Sequence, residues 1–159
     1  MWYGIALLVV ILDQITKNMA SAALNYNQPM PVTGFFNFTL RHNTGAAFSM
    51  FHDASGWQRW FLGILAAVFS VFITVWIARL KKTDWLEALG LALVLGGALG
   101  NLYDRVLLGY VVDFLHFHYM DIYHFPAFNV ADSAISCGAG LLIFDIVFVK
   151  RGRSEKNKE

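Results

Sequence analysis

The chain has 159 residues, of which 57% are hydrophobic and only 14% charged, where a soluble domain of this size would carry about 25% charged residues. Four spans of about 20 residues each would use about half of it, which excludes a separate soluble domain and leaves a single membrane-embedded one. The formal net charge of +1 says little by itself, and nothing in the chain points to a nucleic-acid partner.

The first predicted span covers about 2–20; it is apolar through Leu12 and then carries Asp13 and Lys17. Those two lie four apart, the spacing of an intrahelical ion pair, so a structural pair is expected. The run ends near Ala20-Ser21-Ala22 but has no basic region ahead of it and is interrupted by Asp13, so it does not read as a cleaved signal. Next comes a connection over about 25–57. Pro29, Pro31 and Gly34 break helix, and Phe36, Phe38 and Leu40 then alternate with Asn37, Thr39 and Arg41. Period-two alternation predicts a strand with one apolar face, turned to lipid or sheltering a lipid-bound substrate; an ordered loop without such a role is the other reading. Asn43-Thr44-Gly45 is a turn signal, and 46–51 is a short apolar piece.

The second span, about 60–78, has no charge at all. The third, about 88–103, contains Gly96, Gly97 and Gly100, small residues that let helices pack closely in lipid; packing within the monomer is the expected use. Asn101 and Arg105 share a face at its end, and Asp104 either joins them or faces water. The segment from 104 to 130 is crowded with Phe, Tyr and His, and Phe117, Tyr119, Tyr123 and Phe125 are expected in the headgroup layer. The fourth span, about 131–149, holds Cys137, expected as a small packing residue, and Asp145. A polar tail, 150–159, follows.

Basic residues set the orientation. Arg79, Lys81 and Lys82 follow span two, and Lys150, Arg151, Arg153, Lys156 and Lys158 follow span four. Both groups are expected on the cytoplasmic side, with both termini. The connections 25–57 and 104–130 then face outward, and with them Asp113 and Asp132.

Those two acids are the informative residues. A carboxylate at or near hydrocarbon is costly and usually functional. Two at one depth cannot both ionise readily, so one pKa rises and the pair shares a proton. The ionised member can take a proton from water while the protonated one donates to a peptide carbonyl. Alternatively, Asp132 could simply cap the fourth helix, as Asp often does. Asn43, Asn101, Arg105 and Asn129 are the candidate supporting groups. His42, His116, His118 and His124 also face outward, but without an H-E-x-x-H pattern neither metal nor cofactor is expected. Glycine-rich phosphate loops and nucleophile elbows are absent too. A proton-coupled transporter, which also uses intramembrane acids, is the competing class.

Five blocks, Asp13-Gln-Ile-Thr-Lys17, Asn43-Thr-Gly-Ala-Ala-Phe48, Gly97-Ala-Leu-Gly-Asn-Leu-Tyr-Asp-Arg105, Val111-Val-Asp-Phe114 and Phe128-Asn-Val-Ala-Asp-Ser-Ala134, resemble those of the lipoprotein signal peptidases, or signal peptidase II, in order and over nearly the whole chain. The resemblance implies an aspartic endopeptidase of the bacterial inner membrane with four transmembrane helices and a small periplasmic sheet cradling the substrate. It implies catalysis by Asp113 and Asp132, support from Asn43, Asn101, Arg105 and Asn129, and a structural role for Asp13 and Lys17. The implied substrates are prolipoproteins bearing a diacylglyceryl-modified cysteine, cut just before that residue, with membrane lipid as surroundings and the cyclic peptide globomycin as inhibitor.

Overall fold

The computed structural model describes residues 1–45, 57–119 and 122–150. The apolar piece at 46–51 and nearly all of the tail lie outside the described residues. Four helices, α1 (Trp2–Ala23), α2 (Trp57–Arg79), α3 (Trp85–Leu107) and α4 (Val130–Phe144), surround one another; α4 runs on through a π-helical stretch, Asp145–Lys150. Each is long and apolar enough to cross a bilayer. All four extend beyond the apolar runs in the sequence, because residues such as Gln58, Arg59 and Arg105 remain helical while serving contacts at the helix ends.

The bundle is built around α3. Its glycines let two neighbours approach: a Cβ on Gly96 would sit 2.7 Å from the Ala6 carbonyl oxygen of α1, and one on Gly97 would run into the Ala131 carbonyl of α4. Farther along, a Cβ on Gly138 would lie 2.6 Å from the Gly90 carbonyl oxygen. The small residues thus serve contacts inside the monomer, where close backbone packing replaces the hydrophobic drive that lipid removes. An apolar cluster of Ala6, Ile73, Ile77, Leu91 and Leu95 joins α1, α2 and α3. Outward-facing Leu7, Ile11 and Ile15 on α1 and Val68, Phe69 and Phe72 on α2 are exposed, as residues in contact with lipid are. Cys137 is exposed on α4, contrary to its expected packing role: Gly138 takes the position against α3, and its neighbour in sequence necessarily turns away.

Arg59 fastens the start of α2 to the end of α3. Its Nε donates to the Arg105 carbonyl (2.7 Å) and its Nη2 to that of Val106 (2.8 Å), satisfying carbonyls that a helix end leaves open. Gly109 follows at φ +90, a left-handed turn suited to glycine, and redirects the chain into a strand.

The sheet has four antiparallel strands in the order β1 (Met30–Thr33), β2 (Phe36–Asn43), β3 (Val111–Tyr119) and β4 (Tyr123–His124). On β2 the polar alternates Asn37 and Thr39 are buried, whereas Phe36 and Phe38 are only half-covered. The apolar face is therefore the outward one, built from Phe36 packed on Phe38 and Phe117, and Phe117 on Phe128. Opposite β3, Phe38 pairs with Leu115 but Arg41 with Asp113. The extra residue is a bulge, which re-aims the end of a strand and here carries Asn43 toward Asp113. Within the 104–130 connection nine residues, Val111–Tyr119, form the longest strand among the described residues. Phe117, Tyr119, Tyr123 and Phe125 are exposed along it.

Candidate active site

Three elements converge where the sheet meets the bundle: β3, the last turns of α3 and the first turn of α4. Asn129 is the N-cap of α4. Its backbone is extended (φ −134, ψ −173), its Oδ1 accepts from the Asp132 amide (2.9 Å), and its own amide donates to Asp132 Oδ2 (3.3 Å). This reciprocal capping box satisfies two amide donors of the first turn. Asp132 is therefore not the N-cap but the third helical residue, because Asn129 already occupies the extended position a cap needs.

The same Asn129 reaches the other acid. Its Nδ2 donates to Asp113 Oδ1 at 2.7 Å, with longer contacts to Asn101 Oδ1 (3.2 Å) and the Val112 carbonyl (3.3 Å). Asn43 Nδ2 donates to Asp113 Oδ2 at 3.0 Å, and Asn101 Nδ2 donates to Asp132 Oδ1 at 2.7 Å. Each carboxylate thus has one bond from Asn129 and one from a second asparagine. Asp113 is 2% exposed. Burial and then the nearby Asp132 charge push it up to about 7, against the lowering effect of the Asn43 and Asn129 bonds. Burial disfavours the charged form and a like charge adds to that.

Beneath the acids lies a buried ionic network. Lys17 Nζ is 2.7 Å from Asp13 Oδ2 and 3.0 Å from Asp104 Oδ2, and it donates to Asn101 Oδ1 at 3.0 Å. Asn101 Oδ1 accepts from Lys17 and Asn129, so its amide nitrogen is left to face Asp132. Asp13 Oδ1 accepts from the Ala131 amide (2.9 Å), and Asp104 accepts from Gln14 (2.9 Å) and the Val112 amide (3.0 Å). Asp13, Lys17 and Asp104 are 2% exposed or less. Asp13 and Lys17 therefore do more than pair along one helix: they tie α1 to α3 and α4, and Asp104 carries the network on to β3. Asp104 and Gln14 complete the set; the available signal was that Asp104 lies one helical turn beyond Gly100 and Asn101, on the face toward α1.

Arg105 lies beside this cluster. It donates to the Asn101 carbonyl and, from Nη2, to the Gly45 carbonyl, both at 3.4 Å. It borders a cavity of about 640 Å³ with Asn43, Asn101, Asp132 and the apolar Val111, Phe128 and Ile135. A second cavity of about 710 Å³ lies on the sheet side with Asp113, Arg41, His42 and His116. Asn43, Phe125, Pro126 and Ala127 border both. The acids thus stand between a more apolar and a more polar recess, an arrangement able to hold an extended chain whose two sides differ in polarity. Among the described residues, no three side chains form a ready metal-ligand set.

The family model described as Signal peptidase (SPase) II matches residues 5–148. The chain belongs to the signal peptidase II family. Among its relatives, the lipoprotein signal peptidase of Teredinibacter turnerae is 69% identical over 147 residues, 92% of this chain and 87% of that protein. The lipoprotein signal peptidase of Acinetobacter baumannii (strain ATCC 17978) is 50% identical over 156 residues, 98% and 88% of the two chains. A bacterial membrane enzyme structure determined by the in meso method at 2.3 Å resolution superposes with a TM-score of 0.81 at 31% identity, covering 98% of this chain and 89% of that one. Membership of signal peptidase II makes the chain a multi-pass bacterial membrane protein and an aspartic peptidase, which sets aside the transporter reading.

Proposed function

We propose that the protein removes signal peptides from diacylglyceryl-modified prolipoproteins, cutting just before the lipidated cysteine, with Asp113 and Asp132 as the catalytic pair. The observation that carries this reading is the double role of Asn129, which bonds both carboxyl groups from one N-cap position. In the working cycle Asp113, raised to about 7, holds the shared proton below neutrality. The other carboxylate takes a proton from water, and the resulting hydroxide equivalent adds to the scissile carbonyl carbon. Asp113 gives its proton to the carbonyl oxygen, forming a neutral tetrahedral diol. Collapse of that diol breaks the carbon–nitrogen bond as the leaving nitrogen receives the proton the pair took from water, while one diol hydroxyl gives its proton back to Asp113, so the pair ends with one proton shared again. Asn43, Asn101 and Asn129 orient the carboxyl groups, and Arg105 lies where it can hold a substrate carbonyl.

The lipid on the substrate cysteine would pin the cleavage site at the membrane surface. Tethering fixes orientation and raises effective concentration, a large contribution to lowering the barrier. The outward Phe36, Phe38 and Phe117 face of the sheet offers apolar surface for that lipid-bound substrate. The positions of Arg79, Lys81 and Lys82 and of the basic tail support cytoplasmic termini with the acids at the periplasmic face.

The deciding experiment presents a purified diacylglyceryl-modified prolipoprotein and its unlipidated precursor to the protein in detergent or liposomes. Cleavage of the lipidated form alone, blocked by globomycin and abolished in both Asp113→Asn and Asp132→Asn, is expected. Substantial turnover by either single variant would sink the paired-acid mechanism.

A further inference from the structure

The lipid-facing side of the bundle holds a recess that the hydrolytic mechanism does not use. α1 and α2 both pack on α3, and at one level they also meet each other. There Ala6, Ile73, Ile77, Leu91 and Leu95 form one cluster, and Tyr3 Oη donates to the Thr74 carbonyl at 2.9 Å. Beyond that closure a cavity of about 600 Å³ opens along α3, flanked by Leu7 and Val10 of α1. Its floor is Leu95, Leu99, Leu102 and Val106, which recur at the spacing of one helix face, and it ends at Leu107. From Leu95 to Leu107 α3 rises about 18 Å, close to the roughly 15 Å hydrocarbon depth of a single leaflet. The recess thus has a closed end near mid-membrane and an open end on the side where Asp113 and Asp132 lie.

A cation stands at the open end. Arg59 donates to the carbonyl of Val106, a lining residue, at 2.8 Å and to that of Arg105 at 2.7 Å. Its guanidinium carbon lies 4.9 Å from the Trp60 ring centroid. Those two bonds use two of the five N–H donors of a guanidinium. Among the described residues nothing takes the other three, and no carboxylate lies within ion-pair distance of Arg59. Trp57, Trp60 and Phe61 are exposed around it, as aromatic residues of the headgroup layer are.

We propose that this recess binds one phospholipid from the leaflet on the acids' side, with an acyl chain along Leu99 and Leu102 and the phosphodiester on Arg59. Phosphate is the anion found at that depth, and a guanidinium binds it through charge-assisted hydrogen bonds. A transmembrane peptide helix fits poorly. It needs an apolar path through the whole hydrocarbon core of about 30 Å, and the Tyr3–Thr74 link closes the other half. The bound phosphate holds Arg59 against the last turn of α3, which presents Arg105 to the active-site cavity. This inference stands on the helix bundle alone and is independent of the acid-pair mechanism.

The test uses the full chain in detergent, stripped of lipid, titrated with palmitoyl-oleoyl phosphatidylglycerol and read by native mass spectrometry. One lipid retained per chain, weakened at least fivefold by Arg59→Gln and by Leu99→Trp, which fills the recess, is the expected result. Palmitoyl-oleoyl glycerol, with the same chains and no phosphate, should bind at least fivefold more weakly. Ile143→Trp, on the exposed face of α4, controls for a bulky lipid-facing change and should bind as the parent does. Arg59→Gln also loses bonds that close α3. Leu99 is 37% exposed and takes no part in those bonds, so its variant decides the matter if the first does not fold. The proposal is overturned by failure to retain one lipid per chain, by retention undiminished in Leu99→Trp, or by equal affinity for the phosphate-free diacylglycerol. It is also overturned if a second copy of the chain or an added apolar helical peptide takes the recess in place of lipid.

Discussion

Replacing Asp113 by asparagine separates what the acid costs the fold from what it contributes to catalysis. Its carboxyl has an ordinary value of 3.8 and is raised to about 7 in the folded protein. The folded state therefore holds a proton that the unfolded chain has released between those values, and stability falls as pH climbs through that window. At about 1.4 kcal/mol per unit, the loss is about 4 kcal/mol by pH 8, of which about 2–3 kcal/mol accrues between pH 5 and pH 8. Solvent screening does not reduce it, since Asp113 is 2% exposed. An asparagine carries no charge, but its own amide must face Asn43 or Asn129, both donors to this position. That mismatch costs about 1–3 kcal/mol at every pH. The variant is thus expected to be no more stable than the parent at pH 5 and more stable at pH 8, with no activity at either. Thermal unfolding in detergent across that range reads the difference, and a relative shift in apparent Tm of several degrees is expected. Parallel curves for parent and variant from pH 5 to pH 8 would refute the reasoning, because the carboxyl would then not be held protonated by its surroundings.

Three further outcomes follow from the same geometry. Lys17→Met leaves Asp13 and Asp104 buried without their shared cation and should destabilise the protein by about 3–5 kcal/mol, seen as loss of folded material on gel filtration. Asn129→Ala removes the capping oxygen and the side-chain bond to Asp113 but leaves the backbone bond to Asp132; a loss of about 1–2 kcal/mol in stability should accompany at least a hundredfold fall in kcat, and retention of near-parental kcat would count against its orienting role. Gly97→Ala forces α4 away from α3 and should cost about 1–3 kcal/mol, with KM and kcat both impaired, checked by unfolding and by cleavage of a lipidated peptide.

The helices were readable because lipid imposes a single apolar length on each of them, and the charge-free run at 60–78 shows this most plainly. Their ends were not, since Arg59 and Arg105 are polar for reasons that only the partner helix reveals. The alternation at Phe36, Phe38 and Leu40 located β2. The matching alternation at Leu115, Phe117 and Tyr119 on β3 was masked by the aromatic and histidine residues between them, which fit a membrane interface equally well. Bringing Asp113 and Asp132 into one neighbourhood needed only topology. The bonds that place them did not follow from any local pattern: Lys17 meets Asn101 and Asp13 meets Ala131 across 84 and 118 positions. Asp104 was ambiguous for the same reason, its partners lying on α1 and β3. Asp132 looked like a cap, and only the backbone geometry at Asn129 shows which residue fills that role.

The way α4 begins has a consequence for how the protein comes into being in the membrane. Asn129 and Asp132 come with α4, after Asp113, Asn101 and Lys17 have already been synthesised. A nascent chain with three helices inserted holds Asp113 without Asn129 and has no second acid to pair with it. Forming the first turn of α4 closes the capping box and delivers Asp132 in the same event. With Asp113 and Asp132 as the proposed catalytic pair, peptide-cleaving capacity arises only once α4 is in place, and a chain that stalls before residue 129 is expected to be inert.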